Sequence, residues 1–156
     1  MLIIDDEKVK QKLKKVQRAS KSLLNIAANS FKKTIVNTFN TSTDPFNRKW
    51  RDITHRQGKP LVDTGSLRDS IKIKVTNSYA IISTNKIYAK IQQFGGTIKP
   101  VRKKYLAFKI NGQWRRAKEV TIHPRPYFPI KNGKAIWTPE IENEIKKEFE
   151  KNIKWI

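Results

Sequence analysis

The sequence predicts an α+β fold, in which a long N-terminal helix and a C-terminal helix pack on an antiparallel sheet made of two hairpins. At both ends of the chain, apolar residues recur every three or four positions, which is the period of an amphipathic helix. Between these ends, short stretches alternate apolar and polar residues around turn sequences, which is typical of hairpins. The 156 residues contain no linker-like stretch, and they predict a single domain over residues 1–156.

The N-terminal helix is predicted over residues 5–39. Its apolar positions follow the helical period: Val9, Leu13, Val16, Leu23, Ala27, Phe31 and Ile35. Asp5, Asp6 and Glu7 begin it, where negative charge stabilises the positive end of the helix dipole. Its polar face carries a basic stripe, which is either a solvated face or a binding surface. The members of that stripe are Lys8, Lys12, Lys15, Arg18 and Lys32.

Residues 40–66 are predicted to form an extended loop, because Pro45 ends the helix and the apolar residues that follow show no period. Residues 67–130 are predicted to contain the sheet, a short helix and a Pro-rich arm. The arm lies within residues 121–130, where Pro124, Pro126 and Pro129 exclude a central strand. The first hairpin turns at Asn77-Ser78, and the short helix ends at Gly95. The Asn111-Gly112 pair predicts a type I′ turn in the second hairpin. Its buried face is predicted to consist of Leu106, Phe108 and Ile110.

The C-terminal helix is predicted over residues 138–155. Thr138 is a suitable N-cap and Pro139 a suitable first helical residue. Its apolar stripe comprises Ile141, Ile145, Phe149 and Ile153.

Composition limits the possible functions. The chain has no cysteine, so disulfides, thiolate nucleophiles and Cys-based zinc sites are excluded. The N-terminal residues lack a signal-peptide pattern, and no apolar run reaches the ~20 residues of a membrane span, so we expect synthesis and assembly in the cytoplasm. The net charge of +21 indicates an acidic partner or a compositional preference for Lys; both readings stay open.

No constellation of residues predicts catalysis, a metal site or a cofactor, and the protein is expected not to be an enzyme. His55 and His123 lack the spacing of metal ligands, and the glycines lack the spacing of a nucleotide-binding loop. Glu140, Glu144 and Lys146 loosely resemble the metal site of a nuclease. Residue 146, however, faces away from the other two on a helix.

Four segments stand out in the middle of the chain: residues 44–50 (DPFNRKW), 61–71 (LVDTGSLRDSI), 88–96 (YAKIQQFGG) and 124–128 (PRPYF). In this order they resemble the virion morphogenesis, or tail-completion, proteins of Mu-like contractile-tailed phages. The chain departs from that pattern at Asn47, usually Gly, at Gln92, usually His, and between Pro124 and Arg125, where a small residue is usual. The structural positions of the pattern are Asp44, Pro45, Thr64, Gly65, Leu67, Tyr88, Gln93, Gly95 and Pro126.

The resemblance implies a non-enzymatic structural protein of a phage tail or head–tail neck, which completes the head-proximal end of the tail as a ring. The implied partners are tail tube or head–tail connector proteins and further copies of the chain. The implied location is the virion, after assembly in the host cytoplasm. The Pro-rich arm is predicted to lie outside the monomer core, because aromatic and Arg side chains on a stiff arm suit interface anchors. The predicted assembly contacts are Phe46, Trp50, Arg125, Tyr127 and Phe128.

Two other functions remain as alternatives. The first is a basic nucleic-acid-binding protein, suggested by the net charge and by aromatic residues among basic ones at residues 103–105 and 114–116. A weak, non-specific contact with DNA is compatible with either reading. The second alternative is a metal-dependent nuclease.

Overall fold

A computed structural model describes residues 6–54 and 56–153 of the chain. Asp5 and His55 therefore lie outside the described residues, as does the side chain of Ile153. The helices are α1 (Asp6–Thr41), α2 (Ser66–Asp69), α3 (Ala89–Phe94) and α4 (Pro139–Ile153). None of them is both long enough and apolar enough to cross a membrane.

The strands form antiparallel pairs. In the two predicted hairpins, β1 (Lys72–Val75) pairs with β2 (Ala80–Ser83), and β4 (Leu106–Ile110) pairs with β5 (Gln113–Ala117). Two further pairs lie around them: β3 (Gly96–Ile98) with β6 (Val120–Ile122), and β7 (Ile130–Lys131) with β8 (Lys134–Ala135).

The α+β class and both hairpins are confirmed, but the hairpins belong to separate two-stranded sheets instead of one sheet. The β1–β2 hairpin packs on α1, whereas the β4–β5 hairpin contacts few other described elements. The β4–β5 hairpin stays apart because residues 113–116 of β5 are exposed on both faces of the strand. The strand therefore has no buried apolar face that could pack on the other elements. Even the inward face of β4 is only half-buried.

The two predicted hairpin turns form as expected. Asn111 and Gly112 both have positive φ, at 51° and 77°, which is the requirement of a type I′ turn. In the other hairpin, Thr76 N–H donates to Tyr79 O at 2.9 Å and closes the turn over Asn77-Ser78.

Helix α1 is continuous over 36 residues, about 54 Å at 1.5 Å per residue. Its C-terminal half buries Ala28, Ile35 and Phe39. Helix α4 packs antiparallel to that half; an ion pair of 3.0 Å joins Lys33 Nζ to Glu144 Oε1. Thr138 caps α4 as predicted, since its Oγ1 accepts the N–H of Ile141 at 3.4 Å.

The core joins α1 to the middle of the chain. Seven buried residues form it: Ile35, Phe39, Trp50, Leu67, Ile71, Ala89 and Tyr127. They come from α1, the long loop, α2 with the residues just after it, α3 and the Pro-rich arm. The core therefore lies where the four sequence segments of interest meet.

Candidate assembly site

The loop after α1 is organised by a buried carboxylate. Asp44 is 4% exposed; its Oδ1 accepts the N–H groups of Phe46 and Arg48 at 2.8 and 2.9 Å, and its Oδ2 accepts Arg48 Nε at 2.6 Å. Asn47 has a φ of 64°, so this Asn takes the left-handed conformation that a glycine adopts easily. The turn leaves the Phe46 ring 40% exposed, with the Arg48 guanidinium 5.8 Å from its centroid.

Trp50 ties this loop to the Pro-rich arm. Its indole Nε1–H donates to Pro126 O at 2.9 Å, and its ring lies edge-on to Phe39, with centroids 5.9 Å apart. The Tyr127 ring contacts Phe39 from the arm, at 5.3 Å. A buried indole N–H destabilises the fold unless it has a hydrogen-bond acceptor, and the arm supplies that acceptor here.

Gln93, on α3, holds the arm through its side-chain amide. We call this amide, together with the backbone of residues 127 and 128 to which it is bonded, the clamp. Its Oε1 accepts the N–H groups of both Tyr127 and Phe128 at 2.9 Å, and its Nε2 donates to Phe128 O at 3.1 Å. Gln93 is only 4% exposed. Because the arm cannot pair as a regular strand, this amide supplies the hydrogen bonds that a neighbouring strand would otherwise supply.

Tyr127 completes the clamp from the other direction. Its hydroxyl donates to Ala89 O, at the start of α3, at 3.0 Å, and the residue is 1% exposed. Burial raises the pKa of Tyr127 to about 12, and the nearby Tyr88 adds to this shift. The phenol is therefore neutral at physiological pH, and it acts as a hydrogen-bond donor inside the core.

Arg125 lies at the border between the clamp and a groove. Its backbone N–H donates to Gln92 O at 2.8 Å, while Nε and Nη2 both donate to Arg51 O, at 3.2 and 3.1 Å. Partial burial, followed by the charges of Arg51 and Arg56, lowers the pKa of Arg125. The guanidinium thus fixes the backbone of the long loop to the arm.

Beside Arg125 lies a cavity of about 260 Å³, which we call the Arg125 groove. Its lining includes Arg56, Thr64, Gly65, Tyr88, Gln92 and Arg125. The buried Oε1 of Gln92 has no hydrogen-bond partner in the described structure. All four segments of interest border either this groove or the clamp, which gives the sequence pattern a common place in the fold.

Two glycines of the pattern have a conformational role. Gly65 precedes α2 with a φ of 74°, and Gly95 ends α3 with a φ of 71°. A Cβ on Gly95 would lie 2.8 Å from Pro124 Cδ and 2.9 Å from Ile122 O. Gly95 therefore permits the close approach of α3 to the arm.

The prediction that the arm lies outside the monomer core is wrong. Tyr127 is a core residue, and Phe128 packs against the same cluster. The three prolines exclude the arm from a regular sheet, as expected, but the Gln93 amide replaces the missing ladder and allows the arm to be buried. Trp50 is likewise buried. Of the predicted assembly contacts, Phe46 is exposed and Arg125 half-buried, and their role in assembly stays a prediction.

Large apolar side chains remain exposed on the elements that the arm ties together. We call these residues the rim: Phe46, Ile87, Tyr88 and Phe94, which are 40%, 98%, 39% and 58% exposed. Tyr88 also lines the Arg125 groove. Exposed aromatic residues on a rigid support are typical of protein interfaces.

Glu144, one of the residues considered for a nuclease, has another contact. Glu144 pairs with Lys33 of α1, and that hydrogen bond is the main reason that its pKa is lowered. Within residues 6–54 and 56–153, no three His, Asp or Glu side chains lie close enough together to hold a metal ion. His123 Nε2 lies 2.7 Å from Arg51 Nη1.

Comparisons with known proteins agree with the sequence pattern. A model of the phage virion morphogenesis family matches residues 4–150. The chain is 34% identical over 101 residues to the Mu-like prophage FluMu G protein 2 of Haemophilus influenzae. That match covers 65% of this chain and 56% of the relative, so the chain spans little more than half the relative's length. No solved structure matches the chain.

Proposed function

Because the chain belongs to the phage virion morphogenesis family, we propose that it is a non-enzymatic structural protein that completes the head-proximal end of a phage tail. Its partners in this proposal are tail tube or head–tail connector proteins. It acts at the neck as a homo-oligomeric ring, because a tail has rotational symmetry and a head-to-tail interface repeated around that axis closes into a ring.

One observation supports this proposal above all: the rim is mounted on a clamped support. Gln93, Trp50 and Arg125 join α3, the long loop and the arm through hydrogen bonds between segments far apart in the sequence. Such bonds fix the positions of the elements that carry the exposed aromatics. Preorganisation of this kind reduces the entropy lost on docking, which suits a protein whose work is to hold two assemblies together.

The proposal can be tested with particles made without this protein. We expect electron micrographs to show full heads and separate tails whose head-proximal ends are open, and we expect the wild-type gene to restore joined particles. Joined, infectious particles in its absence would contradict the proposal.

Complementation with a rim variant, Phe46→Ala combined with Phe94→Ala, tests the surface itself. Both side chains are at least 40% exposed, so the melting temperature should change little while joining fails. Tyr79→Ala is the matched control, because Tyr79 is 55% exposed but lies in the turn of the first hairpin, which contributes no residue to the clamp. Normal joining by the rim variant would place the contact elsewhere.

The β4–β5 hairpin favours a second, minor activity, a weak contact with DNA. Trp114 is 69% exposed, with Lys109 Nζ 5.2 Å from its ring, and Arg115 and Arg116 are also exposed. Aromatic and cationic side chains together suit a nucleic-acid backbone and bases. Binding should be independent of sequence and mostly lost by physiological salt. Salt-resistant binding to one sequence would instead make nucleic-acid recognition the main function.

A further inference from the structure

The N-terminal half of α1 exposes a narrow apolar seam. The seam consists of Val9, Leu13, Val16 and Leu23, which are 43%, 57%, 65% and 37% exposed. Their steps of four, three and seven residues follow a heptad repeat, with Ser20 at the intervening position. A heptad seam is the surface that one helix presents to another in a coiled coil.

The described part of the chain leaves this seam uncovered. Helix α4 runs antiparallel to α1: Glu140 shares a surface groove with residues 33–40 of α1, and Glu148 shares one with residues 22–33. Lys33 lies opposite Glu144. From Glu144, α4 continues to Ile153, which brings its end opposite about residue 24 of α1. Residues 9–23 therefore lie beyond the described part of α4, and their apolar side chains are exposed.

The charge around the seam indicates what can cover it. Lys and Arg occupy positions 8, 10, 12, 14, 15, 18 and 21, and no Asp or Glu occurs between Glu7 and Asp44. Over residues 8–23 each copy carries seven Lys or Arg and no Asp or Glu, so two copies of this helix would repel each other through their overall charge. An acidic helix would meet opposite charges on both sides of the seam.

We propose that the seam of α1 binds an acidic amphipathic helix of another protein. Aliphatic contacts along the heptad positions would fix the register, and Lys12 beside Leu13, together with the outer lysines, would select acidic partners. A nucleic acid would leave Leu13 and Val16 without apolar partners, and the seam has no aromatic residue on which bases stack. A lipid surface is served by a wide apolar face, whereas this seam is one residue wide.

The test uses the full chain and a synthetic helical peptide of about three heptads, with Leu at the seam positions and Glu beside them. A second peptide with the same composition in scrambled order shows how much binding comes from charge alone. We expect the heptad peptide to bind at least about tenfold more tightly than the scrambled one by isothermal titration calorimetry.

Two substitutions locate the binding face. Val16→Asn exchanges residues of similar helix propensity and should weaken binding of the heptad peptide about tenfold. Gln11→Asn is the control, because residue 11 lies on the opposite side of α1, and it should leave binding unchanged. Circular dichroism checks that both variants stay helical.

Several outcomes would overturn the proposal. Equal binding of the two peptides would show that only charge attracts them and that the apolar seam makes no specific contact. If neither peptide binds, the seam is not a docking site for an acidic helix. Self-association of the full chain that Val16→Asn abolishes would assign the seam to a second copy. Binding to vesicles of anionic phospholipid or to duplex DNA that Val16→Asn abolishes, while neither peptide binds, would assign it to those partners.

Discussion

Replacing Gln93 by Met removes the amide of the clamp while nearly preserving the length of the side chain. The N–H groups of Tyr127 and Phe128 then lose their acceptor. Phe128 O keeps a partner, because it also accepts the N–H of Ile130 at 2.8 Å. Two backbone donors in or beside the core are thus left without a hydrogen bond, at about 1 to 3 kcal/mol each. We expect the free energy of unfolding to fall by roughly 3 kcal/mol in total.

Thermal unfolding followed by circular dichroism measures this loss. In a chain of this length, 3 kcal/mol corresponds to a fall of roughly 6 to 12 °C in melting temperature. Gln92→Met is the matched control: it changes the adjacent residue of α3, whose Oε1 has no partner to lose, and its effect should stay within about 1 kcal/mol. If Gln93→Met melts within about 2 °C of the wild type, the Gln93 amide does not hold the arm in place.

Three further predictions follow from the backbone and from Tyr127. Gly95→Ala should lower the free energy of unfolding by more than about 2 kcal/mol in chemical denaturation, because the new Cβ would collide with Pro124. Gly133→Ala is the control: Gly133 has a similar φ but open space around it, so the loss should be about 1 kcal/mol. Equal losses for the two variants would show that the close approach of α3 to the arm is unimportant. Gly112→Val should cost about 1 kcal/mol or more from positive φ alone, and an unchanged melting temperature would contradict the turn. Since burial raises the pKa of Tyr127 to about 12, its contribution to stability is fully present below about pH 10, the pKa of tyrosine in an unfolded chain, and is lost as pH rises to about 12. Denaturation across that range should show a steeper loss for the wild type than for Tyr127→Phe, and parallel losses would contradict the burial of the phenol.

Local patterns in the sequence predicted the elements that depend on near neighbours. The spacing of apolar residues predicted α1 to within about two residues at its C-terminus, and Thr138-Pro139 predicted the start of α4. Asn111-Gly112 predicted its turn, because the required backbone conformation belongs to those two residues themselves.

The tertiary packing of these helices and strands depends on contacts between residues far apart in the sequence, which local sequence patterns do not predict. Glutamine is usually a surface residue. Gln93 is nevertheless buried, because its amide makes hydrogen bonds to backbone groups of the arm, 34 residues away in the sequence. The same bonds explain why the Pro-rich arm joins the core despite its three prolines. The sequence predicted the apolar face of α1, but only the position of α4 shows that the N-terminal half of this face is left uncovered.

Our proposal places this protein at the head-proximal end of the tail. Labelling of intact virions with gold conjugated to an antibody against the chain, followed by electron microscopy, tests this position most directly. We expect gold at the junction between head and tail, and on detached tails at the end that normally meets the head. Label along the tail tube, at the distal tip or on the head alone would contradict it.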